Sequence, residues 1–304
     1  MSSGIRALLL FVPMVVAGGF AALYTPPPAD TAGGSAQDNE IKLASLPPLP
    51  DWSRDDLPDF TGYRDVTEKK VAFFSFLYPR IVLANSRILI ERHYLEELAS
   101  RDTLGNQERQ WLDAQSERLR VEGETGSEQQ FTGLRHKLDV IPPSLILAQA
   151  ANESAWGTSR FATKGNNLFG QWCFSKGCGL VPLGRVEGAS HEVAKFSSPY
   201  RSVRSYIQNL NRHPTYSKLR EVRANSSAAL PSGVELAAGL VGYSERGMDY
   251  VEEIRSMIRY NNLSWYDRQF AGTLDSADAS TLLSLASEQQ EKALLPGSTA
   301  EGED

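Results

Sequence analysis

The sequence predicts an α+β fold that is mostly α, with several helices and one small β-hairpin. Three observations lead there. Apolar residues recur at three- and four-residue intervals in Thr67–Ala99 and again at Val203, Tyr206, Ile207 and Leu210. Leu145–Ala151 is apolar on almost every side, as in a helix buried all round. Only Leu180–Ser197, turning at Gly188, reads as a pair of short strands. The chain has 304 residues, 41% hydrophobic and 22% charged, which is enough for one or two domains with a sizeable core.

From the N-terminus, Arg6 is the only charged side chain before Asp30, and Ala7–Leu23 is almost wholly apolar. Residues 1–24 therefore read as an export signal or, if uncleaved, a single-span anchor in the inner membrane. Seven of the 16 prolines lie between Thr25 and Phe60, so residues 25–62 are expected to be a semi-extended Pro-rich linker. Residues 63–127 form a helical brace: Val71, Phe74, Leu77 and Ile81 mark one helix, which Pro79 is expected to kink or split, and a second runs over about 106–120.

At residue 128 the character changes. Ile141-Pro142-Pro143-Ser144 starts the apolar helix, whose polarity arrives only at Gln149, Asn152 and Glu153. Pro199 opens the helix of Val203 to Leu210. Asp249 with Glu252 makes a capping-box-like start for a last helix with Val251, Ile254 and Ile258 on one face. Residues 267–304 are expected to be an acidic, disordered tail. The stretch 271–304 has seven acids and one base, which accounts for the whole net charge of −6.

This balance excludes a strongly basic nucleic-acid binder. Two cysteines exclude a disulfide-dense scaffold, and the scattered His93, His136, His191 and His213 offer no metal or cofactor site. Cys173 and Cys178 enclose a four-residue loop, and in an exported protein they are expected to be disulfide-bonded.

Glu153 is the candidate with chemistry. A carboxylate ending a buried apolar helix is desolvated and lies at the negative end of the helix dipole, and both effects raise its pKa. Trp156 would supply an apolar wall. A carboxylic acid still protonated near neutral pH is what glycosidic cleavage needs, because the leaving oxygen must receive a proton.

The paired motifs Ala148-Gln149-Ala150-Ala151-Asn152-Glu153-Ser154-Ala155-Trp156-Gly157 and Asn166-Asn167-Leu168-Phe169-Gly170 resemble the bacterial glucosaminidase family that cleaves peptidoglycan, glycoside hydrolase family 73. The resemblance continues through Ala194-Lys195-Phe196, Tyr206 and the Gly242-Tyr243 to Tyr250 segment, so it covers residues 128–266. It implies a lysozyme-like domain with a small β lobe, N-acetylglucosaminidase activity on peptidoglycan glycan strands in the periplasm, no cofactor, and Glu153 as general acid. The domain's 16 bases and 11 acids suit an anionic cell wall.

Family members often carry a second acid on the first hairpin strand, which here has none. Glu192 on the returning strand ranks first as the second catalytic carboxylate, ahead of Glu187 at the turn and Glu245, which stands where relatives carry Thr-Asp-Pro. Asn167, Phe169 and Trp172 are candidates to line sugar subsites, and Tyr243 and Tyr250 to act as cleft donors. Core packing is the alternative for Phe169 and both tyrosines. Two other functions compete: lytic transglycosylation, which also needs one protonating Glu, and a non-catalytic wall-binding or assembly role.

Overall fold

The first long helix, α1 (Val66–Ala99), runs unbroken for 34 residues through Pro79. It is identified in a computed structural model that describes residues 43, 45–185, 188–228, 230–275 and 279–297. The segment 1–24 and the turn residue Glu187 lie outside these. Asp65 caps α1 by accepting the Glu68 N–H at 2.8 Å. The expected split at Pro79 does not occur, and the reason is energetic. An interior proline costs about 3 kcal/mol, whereas fully burying one Leu, Ile or Phe returns roughly 1.5–3 kcal/mol. Here Phe73, Leu77, Ile81, Leu83, Leu95 and Leu98 are all completely buried. By length and composition α1 would also cross a bilayer, but 83% of its qualifying window is buried inside the protein, so it is the central core helix.

Around α1 lie α2 (Asn106–Leu119), α3 (Glu128–Lys137), α4 (Pro143–Glu153), the short α5 (Arg160–Gly165), α6 (Pro199–Arg212), α7 (Ser217–Ala224), α8 (Gly233–Leu236) and α9 (Met248–Tyr260). Side chains of α1, α4, α6 and α9 belong to one hydrophobic cluster. The brace therefore shares its core with the segment that follows it.

Both ends expected to be loose are folded onto α1 where they are described. In the Pro-rich segment, Leu43, Trp52 and Phe60 are buried, and tight turns form at Asp51–Arg54 and Phe60–Gly62. In the acidic segment, α10 (Ser264–Asp275), α11 (Ala279–Ser287) and a turn at Glu291–Leu294 replace the expected disorder. Leu282 and Ala286, one turn apart, bury an apolar stripe together with Leu294. Polar contacts tie the two ends together across α1: Trp52 Nε1 donates to Glu288 O at 2.8 Å, and the fully buried Arg80 pairs with Glu291 at 2.5 Å. Arg87 Nη1 donates to Pro47 O and Ala286 O.

The β lobe also differs from a simple hairpin turning at Gly188. It is a three-stranded antiparallel sheet of β1 (Trp172–Cys173), β2 (Gly179–Leu180) and β3 (Glu192–Ala194), with β3 in the middle. Cys173 pairs with Glu192, and Gly179 with Ala194. The first strand of the hairpin expected over Leu180–Ser197 is thus only the two residues Gly179–Leu180.

Candidate active site

Glu153 is the last residue of α4, and both ends of that helix are held from afar. Pro142 at the N-cap gives α4 no side-chain cap of its own. Asp267, the first residue of the segment expected to be disordered, supplies one from α10. Its carboxylate accepts the Ser144 N–H (2.7 Å), the Ser144 hydroxyl (2.5 Å) and the Gly233 N–H (3.2 Å). A buried carboxylate at a helix N-terminus satisfies orphan amides and complements the dipole.

Beyond Glu153 the backbone turns through three consecutive left-handed residues, Ala155, Trp156 and Gly157, with φ of 51°, 59° and 76°. Ser154 pins this turn: its hydroxyl donates to Ala150 O at 2.5 Å and accepts the Gly157 N–H at 2.8 Å. Trp156, the expected wall, turns its ring to α1. Its ring packs edge-on against Phe73 and Phe74 of α1, with centroids 5.9 and 5.4 Å away.

The immediate surroundings of the acid come from α9 and α6. Tyr250 donates to Glu153 Oε1 at 2.7 Å, Gln149 Nε2 donates to the Tyr250 hydroxyl at 2.8 Å, and Tyr206 donates to Gln149 Oε1. Asn152 Nδ2 reaches the same Oε1 at 3.5 Å. Oε2 accepts no hydrogen bond among the described residues. Burial pushes the Glu153 carboxyl above its ordinary range; Tyr250 and Asn152 pull it back, nearby Glu253 pushes it up and Arg246 pulls it down. Arg246 is itself paired with Glu253 and lies over the Tyr250 ring. Burial also holds the Tyr206 and Tyr250 phenols well above their usual pKa, so both stay protonated donors.

Tyr243 stacks parallel on Tyr250, 5.3 Å between centroids, and donates to Phe169 O at 2.9 Å. Two residues read as sugar-lining are instead in the core. Phe169 is 2% exposed and stacks on Tyr206 at 4.0 Å. Asn167 is 1% exposed; its amide donates to Gln171 O and Ala194 O and accepts the Phe169 and Gln171 N–H groups. Trp172 is partly exposed at the edge of the sheet, with one face stacked on His191 at 3.9 Å.

Glu192, ranked first as the second catalytic carboxylate, bonds to loop backbone. Its Oε1 accepts the Gly177 N–H at 2.9 Å and its Oε2 the Gly179 N–H at 2.8 Å, and these two bonds hold its pKa below the ordinary carboxylate value. It clasps the loop closed by the Cys173–Cys178 disulfide. The two sulfurs and a Glu192 oxygen lie within 4.8 Å of one another. That trio does not suit a metal, because the disulfide removes the thiolates and the amides occupy both carboxylate oxygens. Glu245 is exposed on the loop before α9.

Gln149, Tyr206, Arg246 and Glu253 join the site without having been singled out as functional residues. Gln149 left a signal, as the polar residue inside an apolar helical run, and Tyr206 stood among the residues that carry the resemblance.

The segment that holds Glu153 is similar to known proteins. Residues 129–263 match the family model described as Glucosaminidase, mannosyl-glycoprotein endo-beta-N-acetylglucosaminidase. The chain is 34% identical to protein bax of Escherichia coli (strain K12) over 208 residues, 67% of this chain and 74% of that protein. It is 28% identical to exo-glucosaminidase LytG of Bacillus subtilis (strain 168) over 133 residues, 42% of this chain and 46% of that protein. No solved structure matches the chain. With Glu153 at the end of its buried helix inside the matched segment, the chain belongs to the family of protein bax and carries a glucosaminidase domain.

Proposed function

We propose that this protein is a peptidoglycan hydrolase working outside the cytoplasm, with residues 128–266 as its N-acetylglucosaminidase part and Glu153 as the general acid. The observation that carries this reading is the asymmetry of the Glu153 carboxyl: burial raises its pKa, Tyr250 occupies Oε1, and Oε2 has no partner among the described residues. A buried acid with one free oxygen is suited to protonating a leaving glycosidic oxygen. The relatives named for glucosaminidase activity support the substrate class.

The second carboxylate is where the proposal is most specific. Glu192 has both oxygens bonded to loop amides, and Glu253 is paired with Arg246. The reading that needs only the groups at hand is substrate assistance. Glu153 gives its proton to the glycosidic oxygen as the C1–O bond breaks, and the acetamido carbonyl oxygen of the same N-acetylglucosamine bonds to C1. Water then opens that ring, returning a proton to Glu153 and leaving a reducing N-acetylglucosamine end. Such assistance is a known departure from the two-carboxylate scheme.

The test is digestion of purified sacculi by the wild-type protein and by Glu153→Gln, with the products read by mass spectrometry. Reducing N-acetylglucosamine ends, lost by about a hundredfold or more in the variant, are expected. Anhydro-muramic ends would instead identify a lytic transglycosylase, and binding without cleavage a wall-binding protein.

A further inference from the structure

The buried polar chain behind Glu153 has a direction, and that direction follows from donor and acceptor counting. An ionised carboxylate only accepts, so the Tyr250 hydroxyl, 2.7 Å from Oε1, must donate to it. A hydroxyl has one hydrogen, so Tyr250 must then accept from its other neighbour, Gln149 Nε2 at 2.8 Å. The amide therefore turns its oxygen toward Tyr206, whose hydroxyl has nothing else to do but donate. Tyr206, Gln149 and Tyr250 are 0%, 0% and 2% exposed, so no link of the chain faces bulk solvent.

When Glu153 takes up a proton, the same counting discriminates between its two oxygens. A proton on Oε1 would point at a Tyr250 oxygen already receiving a hydrogen bond from Gln149, and would leave the Tyr250 hydrogen without an acceptor in a buried place. Burying an unsatisfied donor is unfavourable. A proton on Oε2 leaves every link intact. We infer that the chain Tyr206–Gln149–Tyr250 confines the acid's proton to Oε2, the oxygen left open for a ligand, and that Gln149 and Tyr206 are positioning residues. The inference rests on Glu153 being the general acid. It adds that two residues which need not touch substrate decide which oxygen delivers the proton.

The groups facing Glu153 are Gln149 and Asn152 on α4, Tyr250 and Glu253 on α9, Arg246 on the loop before α9, and Tyr206 on α6. Only Glu253 and Arg246 among these are charged, and they are paired with each other. Removing Gln149 thus leaves the charges around Glu153 unchanged. Without its donor, Tyr250 is free either to donate to the carboxylate or to accept a proton from Oε1. Its bond to the ionised form also loses the polarisation supplied by the amide. Both changes favour the protonated acid, so the carboxyl should titrate higher while delivering its proton less well.

Gln149→Met keeps the volume but orphans the Tyr206 hydroxyl. The double variant Gln149→Met/Tyr206→Phe removes both polar partners together and is the one to rely on for folding. The Glu153 carboxyl is followed by carbon-13 NMR on glutamate-labelled full-length protein, its resonance assigned by loss in Glu153→Gln. Turnover is measured in parallel on purified sacculi. The expected result is a Glu153 pKa above that of the wild type together with a fall in kcat of about tenfold and little change in KM. A folded double variant whose Glu153 titrates as in the wild type, or titrates higher with unchanged kcat, would overturn the inference. If Glu153→Gln itself proved fully active, the catalytic reading would fail, while the titration would still report whether the chain acts on this carboxyl.

Discussion

The ring of Phe60 lies directly against Gly157. A Cβ built on Gly157 would sit 2.6 Å from Phe60 Cδ2, inside contact distance. Phe60 belongs to the Pro-rich segment ahead of α1, and Gly157 to the left-handed turn that follows Glu153. The ring also meets Phe73 of α1 edge-on at 5.4 Å, and Phe73 meets Trp156 at 5.9 Å. A segment that looked like a spacer thus buttresses the turn beside the proposed acid.

Gly157→Ala tests this buttress. At φ 76° an alanine is strained by about 1–2 kcal/mol, and the added methyl also pushes on Phe60. Urea denaturation should show a loss of about 2 kcal/mol or more, relieved in part by Phe60→Leu in the same chain. Equal stability of Gly157→Ala and the wild type would remove Phe60 from any part in shaping the turn.

The raised pKa of Glu153 has a definite sign in stability. Its folded-state value lies above the ordinary 4.5, so the folded state takes up the proton more readily than the unfolded chain. Its contribution is complete below about 4.5 and is lost as pH rises through the folded-state value. The melting temperature of Glu153→Gln minus that of the wild type should therefore grow as pH rises from about 4.5 through the folded-state value. Wild-type turnover should fall on the alkaline side as the acid ionises. A melting difference that stays flat across this range would mean that burial does not penalise the ionised carboxyl.

Glu192 makes the opposite case. Its depressed pKa means that its stabilisation is present above about pH 4.5 and is lost as pH falls through the folded-state value. In Glu192→Gln one end of the side chain becomes a donor facing a backbone N–H, so one of the two loop clasps is lost. The Cys173–Cys178 bond should then be reduced faster by dithiothreitol, measured by thiol titration, and turnover should fall less than in Glu153→Gln. Reduction at the wild-type rate would show that the clasp does not protect the loop.

Asp267→Ala should be among the costlier single changes. It strips α4 of its only side-chain cap among the described residues and leaves the buried Ser144 and Gly233 amides without that acceptor. A loss of about 2–4 kcal/mol is expected from chemical denaturation. A loss below about 0.5 kcal/mol, the low end for a single cap, would mean that the amides find other partners.

Much of this was legible from local pattern. The apolar run Leu145–Ala151, the proline at its start and the polar residues at its end define α4 and place Glu153 at its C-terminus within a dozen residues of chain. Helical period and proline geometry act over that distance, so the mostly helical class and the position of Glu153 at a helix end could be read without a structure. The motif pair around Glu153 and Asn167 likewise pointed to the glucosaminidase family.

Tertiary structure alone decided which polar groups share a buried space. Asp267 reaches Ser144 across 123 positions, Tyr250 reaches Glu153 across 97, and Trp52 reaches Glu288 across 236. A carboxylate four residues past the turn at Gly188 looks the same in sequence whether it serves as a second catalytic acid or, like Glu192, closes on two loop amides. A Pro-rich or acidic stretch looks solvated until a long apolar helix such as α1 offers it a surface. Hydrophobic periodicity is set by neighbours in the chain. Hydrogen-bond satisfaction in a dry interior is set by neighbours in space, and only folding brings those together.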